Sequence, residues 1–206
     1  MVSGFIIYPA VTELARKQKS ISEQLQDEAK TRPQSLAARP LFKIHFRIVT
    51  RGNNPNLVLS NCQDALQVLQ SSGLPESRYK IDIATDKRMD TITQLPQVEQ
   101  LVVPDSYKPP GGCKYKARAL NYAANASPAL HHDWIVHLDE ETRFDVDTVE
   151  NIFAHCVKQE QVVARGESKY PSIGQGVIFY NTATIDNYLT TLADYIRVSD
   201  DYLLLS

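Results

Sequence analysis

The chain has 206 residues, 43% of them hydrophobic and 22% charged, and a formal net charge of -2. That length gives one sizeable core and at most two domains, and the composition is that of a soluble globular protein. The near-balanced charge excludes a global field that would draw the chain to nucleic acid, though not a local basic patch. Cys62, Cys113 and Cys156 are far apart and show no C-x-x-C spacing. They suggest neither a disulfide framework nor a structural zinc site, and read as three reduced thiols.

In chain order, the apolar run from Phe5 to Val11 contains Pro9 and lacks the basic flank of a signal peptide. It is too short to span ~30 Å of hydrocarbon. Residues 12–30 predict a polar helix with an apolar stripe of Val11, Leu14, Ile21 and Leu25. Thr31-Arg32-Pro33-Gln34-Ser35 breaks it and Arg39-Pro40 punctuates a linker. Residues 1–40 are therefore expected to form an N-terminal arm outside the main core, with residues 41–206 as the principal domain.

From residue 41 the pattern alternates between β and α. The β-branched and aromatic run Phe42 to Thr50 predicts a strand, ended by Gly52-Asn53-Asn54-Pro55. Asn54 suits an N-cap and Pro55 a first helical position. The helix that follows carries Leu57, Val58, Cys62, Leu66 and Leu69 and stops at Gly73. Tyr79 to Thr85 predicts a second strand, and Glu99 to Val103 a third, closed by Pro104. After the loop Pro109-Pro110-Gly111-Gly112 a helix is expected from near Lys114, with Ala117, Leu120 and Ala124 inward. The apolar run Trp134 to Leu138 predicts a central strand buried on both faces. Phe144 to Cys156 reads as a helix started by Asp145, Gly176 to Tyr180 as a strand, and 183–197 as a last helix.

Strands separated by helices predict an α/β fold with a parallel, doubly wound sheet, whose ligands lie outside the carboxyl ends of the strands. The polar groups expected there are Thr50-Arg51-Gly52, Asp86-Lys87 and Asp139-Glu140-Glu141, sharing one crevice. Asp139 and Glu141, two apart, could both reach a hard cation such as Mg²⁺ or Mn²⁺. Equally, Glu140, Glu141 and Asp145 could complement the dipole of a helix start. Lys114, Lys116 and Arg118 crowd a helix start, the wrong end for cations unless an anion such as a diphosphate sits there, or unless they form a solvated basic face. Asp86 could accept hydrogen bonds from a ribose or a base, or simply open a turn. His131, His132, His137 and Asp139 match no standard zinc spacing.

Together these pieces resemble the family 2 glycosyltransferases of GT-A fold, and in particular the egghead-type β-1,4-mannosyltransferases. The resembling blocks begin with Arg47-Ile48-Val49-Thr50-Arg51-Gly52, Ala84-Thr85-Asp86-Lys87 and Val102-Val103-Pro104. They continue with Lys116 to Tyr122, Asp133 to Thr142, Gly174-Gln175-Gly176, Leu189 to Asp194 and Arg197 to Asp201. The resemblance implies a Rossmann-like, mostly parallel sheet flanked by helices. It assigns Thr50, Arg51 and Gly52 to the nucleotide pocket and Asp86 to the base or ribose. Lys116, Arg118 and Asn121 fall in the helix facing the donor. Asp139-Glu140-Glu141 stands for the usual D-x-D, with Asp139 near ribose and metal and Glu141 as metal ligand. The implied donor is GDP-mannose and the implied acceptor a glucosyl lipid, with Mg²⁺ or Mn²⁺ as cofactor.

The resemblance also implies inversion at the sugar carbon, which needs a general base on the acceptor side. In the family this base and an Arg-Arg-Trp-like acceptor motif lie beyond the position of Ser206, so the chain is expected to hold the donor half only. The family precedent further implies a membrane-associated enzyme with a cytosol-facing site at the ER or Golgi. A non-catalytic nucleotide-sugar-binding module is the alternative, and a plain α/β interaction domain with capping acids a third.

Overall fold

The computed structural model describes residues 3–6, 20–31, 41–169, 171–174 and 177–179. In chain order its first elements are β1 (Ser3–Ile6), α1 (Ile21–Thr31), β2 (Ile44–Thr50), α2 (Pro55–Ser71) and β3 (Tyr79–Thr85). There follow β4 (Val98–Val102), α3 (Tyr115–Ala126), β5 (Trp134–Asp139), β6 (Thr142–Arg143), α4 (Val146–Ala164) and β7 (Val177–Phe179). Two compact units result. One comprises Leu41–Gln70 with Leu74–Thr142, the other Met1–Pro40, Ser71–Gly73 and Arg143–Ser206.

The first unit is a four-stranded sheet of order β4-β3-β2-β5 in which every neighbouring pair runs parallel. β2 and β3 lie centrally, and all seven residues of β2 are buried. Parallel strands require long crossovers, and the sequence supplies α2 between β2 and β3 and α3 between β4 and β5. Asn54 Oδ1 accepts from the Leu57 amide (3.4 Å) at the start of α2, and Gly73 takes φ +76° just past its end. Val58, Cys62, Ala65, Leu66 and Leu69 form its buried stripe. On the other flank, Ala119 and Ala123 of α3 pack with Val49, Ala84, Leu101 and Val103. The expected α/β class, a parallel sheet flanked by helices, is what forms.

In the second unit β1 pairs antiparallel with β7, Gly4 opposite Phe179 and Ile6 opposite Val177. Ser20 and Glu23 make a capping box at the start of α1: the Ser20 amide donates to Glu23 Oε2 (2.9 Å) and the Glu23 amide to Ser20 Oγ (3.4 Å). Ile21 is 1% exposed, and Gln24 of α1 reaches the Glu150 carbonyl of α4 (3.5 Å). Of residues 1–40, expected as an arm outside the core, the described β1 and α1 group with β7 and α4.

Other expectations change at their edges. The helix read over 12–30 is described from Ile21 only, and 11–19 lie outside the described residues. α4 begins as expected after Asp145, whose carboxylate accepts from the Thr148 amide (2.9 Å), but it runs on to Ala164 before Gly166 turns at φ +73°. Among the described residues β5 is an edge strand, not a central one. Ile135 is 38% exposed and only Leu138 is buried. Apolar character in Trp134 to Leu138 fixed the strand but could not fix its rank in the sheet. In α3 Ala119 and Ala123 are buried and Leu120 packs against the same cluster as expected, while Ala117 and Ala124 are exposed. Alanine is too weakly apolar to choose a helix face by itself. The expected helix 183–197, Gln175, Gly176 and the two last family blocks lie outside the described residues.

Candidate functional site

Parallel register brings the strand ends into one row. Thr50 lies opposite Thr85, Thr85 opposite Val102, and Val49 opposite Asp139. The segments that leave those ends therefore start side by side. Gly52, at φ +73°, is pressed so close to the β3 end that a Cβ there would stand 2.8 Å from Thr85 Oγ1 and 3.1 Å from the Lys87 carbonyl. Only glycine serves where a left-handed backbone coincides with such an approach. The Thr85 hydroxyl closes its own loop, donating to the Lys87 carbonyl (2.9 Å), and Lys87 Nζ donates to Asn53 Oδ1 (2.8 Å). The loops after β2 and β3 are thus one clasped floor.

The acidic triplet lies at the end of β5. Glu140 and Glu141 form the turn between β5 and β6 and do not belong to a helix start; the cap of α4 is Asp145. The turn is fastened on its inner side. Thr50 Oγ1 donates to the Glu140 carboxylate, and Asn61 Nδ2 of α2 donates to the Glu140 carbonyl. The Asp139 amide donates to Thr142 Oγ1 (3.2 Å). Asp139 keeps an exposed carboxylate, bonded by Lys116 Nζ at 2.7 Å.

The misplaced cations of α3 now have partners. Lys116 pairs with Asp139, and Arg118 Nη1 bonds Asp86 Oδ1 at 2.5 Å. Arg118 also donates from Nη2 to the Pro104 carbonyl (2.6 Å) and from Nε to the Tyr107 carbonyl (3.2 Å), tying the loop after β4 to the end of β3. Burial alone would lower the Lys116 pKa. The bond and charge of Asp139, with the charges of Glu141 and Glu140, instead raise it above the ordinary lysine value. Tyr115 begins α3 at φ +57° and carries Arg51 stacked 4.1 Å over its ring. A bulky residue in the left-handed region stores strain of about 1–3 kcal/mol, which the surrounding contacts must hold.

The structure thus gathers Thr50, Gly52, Asp86, Lys116, Arg118, Asp139 and Glu140 at one sheet end, with Arg51 stacked beside them. Asn121 is set further along α3, where its side-chain oxygen accepts from the Tyr107 hydroxyl (2.5 Å). Sequence reasoning missed Asn61, Tyr107 and Tyr115. Asn61 was detectable as a polar residue inside the apolar stripe of α2, where it is 3% exposed. Among the described residues no group of three or more His, Cys, Asp or Glu is placed to hold an ion. A divalent metal here would draw at most two carboxylates from this unit. Mg²⁺ and Mn²⁺ commonly use one or two carboxylates and complete their shell with waters and phosphate oxygens. The Asp139 carboxylate already holds a cation, the Lys116 ammonium, which shows that its surroundings accept positive charge.

No family model matches the chain, and no solved structure matches it significantly. Curated relatives do. The chain is 37% identical over 170 residues to a protein named beta-1,4-mannosyltransferase bre-3 of Caenorhabditis elegans, a match covering 81% of this chain and 34% of that protein. Its counterpart bre-3 of Caenorhabditis briggsae is 36% identical over the same shares. The beta-1,4-mannosyltransferase egh of Drosophila melanogaster is 38% identical over 160 residues, 77% of this chain and 32% of that protein. The chain spans about a third of the length of these relatives. The resemblance read from the sequence blocks is therefore shown: over some four-fifths of its length this chain is a relative of the egghead-type β-1,4-mannosyltransferases.

Proposed function

We propose that the parallel-sheet unit is the donor-binding part of an inverting β-1,4-mannosyltransferase that takes GDP-mannose, with Mg²⁺ or Mn²⁺ as cofactor and a glucosyl lipid as acceptor. The observation that carries this reading is the pairing of acids on β3 and β5 with cations of α3, Asp86 with Arg118 and Asp139 with Lys116, around one set of strand ends. A nucleoside diphosphate needs cations for its phosphates and acceptors for its ribose and base, and the groups at these strand ends include both. Asp139 and Glu141 would hold the metal, which supplies Lewis-acid stabilisation of the departing diphosphate.

The chain's own residues do the rest. Lys116 and Arg118 place fixed positive charge where negative charge develops on the leaving group. The clasped loop at Gly52 lets backbone approach a ligand without a side chain between them. Arg51 and Tyr115 form a stacked wall for a base.

Calorimetric titration of GDP and UDP, with and without Mn²⁺, tests the reading on the full chain. GDP should bind more tightly with Mn²⁺, and Glu141→Ala should remove that gain while leaving the fold intact by circular dichroism. Equal GDP affinity with and without Mn²⁺ would sink the proposal, and tighter binding of UDP would replace its donor.

A further inference from the structure

Glu140 is the middle acid of the triplet, and its contacts set it apart from its neighbours. Its carboxylate accepts from Thr50 Oγ1, its carbonyl accepts from Asn61 Nδ2, and Asn61 and Thr50 are 3% and 1% exposed. Thr50 Oγ1 in turn accepts from the Gly52 amide (3.0 Å). A chain of hydrogen bonds therefore runs from the loop after β2, through Thr50, to the acidic turn, and a second anchor reaches the same turn from α2. Asp139, by contrast, presents a carboxylate whose side chain is 58% exposed.

We propose that Glu140 is a positioning residue for the metal-binding turn: it engages Thr50 and Asn61 instead of the ion, and thereby sets Asp139 and Glu141 for the cation. This rests on the donor-site reading above. An amide in place of a carboxylate still accepts from a buried hydroxyl, whereas as a ligand to a divalent cation it lacks the negative charge that supplies most of the affinity. Partners that orient a ligand from outside the coordination shell typically cost 10–100-fold in metal affinity when removed.

The amide substitution separates the two roles. Mn²⁺ affinity is read from the free-ion electron paramagnetic resonance signal, in the presence of GDP, for wild type, Glu140→Gln, Glu140→Ala, Asn61→Ala and Glu141→Gln. Glu140→Gln should bind Mn²⁺ within about threefold of wild type, because its Oε1 still accepts from Thr50. Glu140→Ala and Asn61→Ala should each weaken Mn²⁺ roughly tenfold or more, at a temperature where thermal melts show them folded. Glu141→Gln should lose Mn²⁺ altogether. If Glu140→Gln loses Mn²⁺ as completely as Glu141→Gln, Glu140 is a ligand and the inference is overturned; an unchanged Glu140→Ala overturns it too. A wild type that binds no Mn²⁺ with GDP overturns the donor-site reading itself, a distinguishable result.

Discussion

One face of the parallel sheet carries charged groups at both of its ends, and the two sets are built differently. From the strand starts to the middle of the strands, Asp82 of β3 is fully buried, bonded by His45 Nδ1 (3.0 Å) and Arg47 Nη2 (3.1 Å) of β2. Arg47 continues to Ser127 Oγ (2.5 Å) at the end of α3, and His45 Nε2 stands 3.5 Å from Asp133. Towards the strand ends, Lys116–Asp139 and Arg118–Asp86 are paired but partly open, Asp139 being 58% and Asp86 30% exposed. Buried ions that bond one another are committed to the fold, and losing one partner strands the other in low dielectric. Open pairs gain little from each other, so a ligand can redirect them at small cost. The sheet therefore separates charge committed to the buried interior from charge that stays partly exposed.

The largest effect should come from breaking the committed end. Asp82→Ala leaves Arg47 and His45 without their buried acceptor and should lower stability by about 3–5 kcal/mol in urea unfolding. The same group fixes an acid limit. Burial would raise the Asp82 pKa, but bonds and charges from His45 and Arg47 bring it below its ordinary value of 3.8. Its contribution is thus complete above that value and is lost as pH falls through the lower folded value. An Asp82→Asn variant should lack that part of the acid-side decline; an unchanged decline would assign it to other carboxylates.

A middle effect is expected at the clasped loops that leave the strand ends. Gly52→Ala places a Cβ against Thr85 Oγ1 in a left-handed backbone and should cost roughly 1–3 kcal/mol, read from the thermal midpoint. Its GDP affinity should fall as well, since the clasp is the proposed pocket floor. The smallest effect on stability should come from the open end. Lys116→Ala should change unfolding free energy by less than about 1 kcal/mol, yet weaken GDP binding. A large loss of stability in that variant would erase the distinction between the two ends.

The sequence made the sheet's strands and the crossover helix α2 legible because β2, β3 and α2 have strong periodic patterns with caps at Asn54 and Gly73. It also showed which strand ends would meet, because parallel order dictates that. The buried network escaped. Arg47 and His45 sit at alternate positions of an apolar run, where a charged residue reads as an exposed face. The signal lay in the opposing strand: Asp82 falls opposite Arg47 in register, so two strands each too apolar for an edge carried complementary charges on one face. The rank of β5 and the inward face of α3 were not legible for a different reason. Both depend on partners far away in the chain, and neither alanine nor a short apolar run encodes them locally.

The parallel order also bears on how the strand-end residues come together. β2 meets β3 through residues 35 apart, as in Arg47 and Asp82, whereas its opposite edge reaches residues 90 apart, as in Lys43 and Asp133. Closing the longer loop costs only about 0.8 kcal/mol more in chain entropy, so the final stability hardly registers the difference. Search time does register it, because distant pairings form slowly. The acidic turn at the end of β5 belongs to the late pairing, and Thr50 and Gly52 belong to the early one. The group of strand-end residues is therefore expected to be complete only once the longer-range β2–β5 pairing has formed.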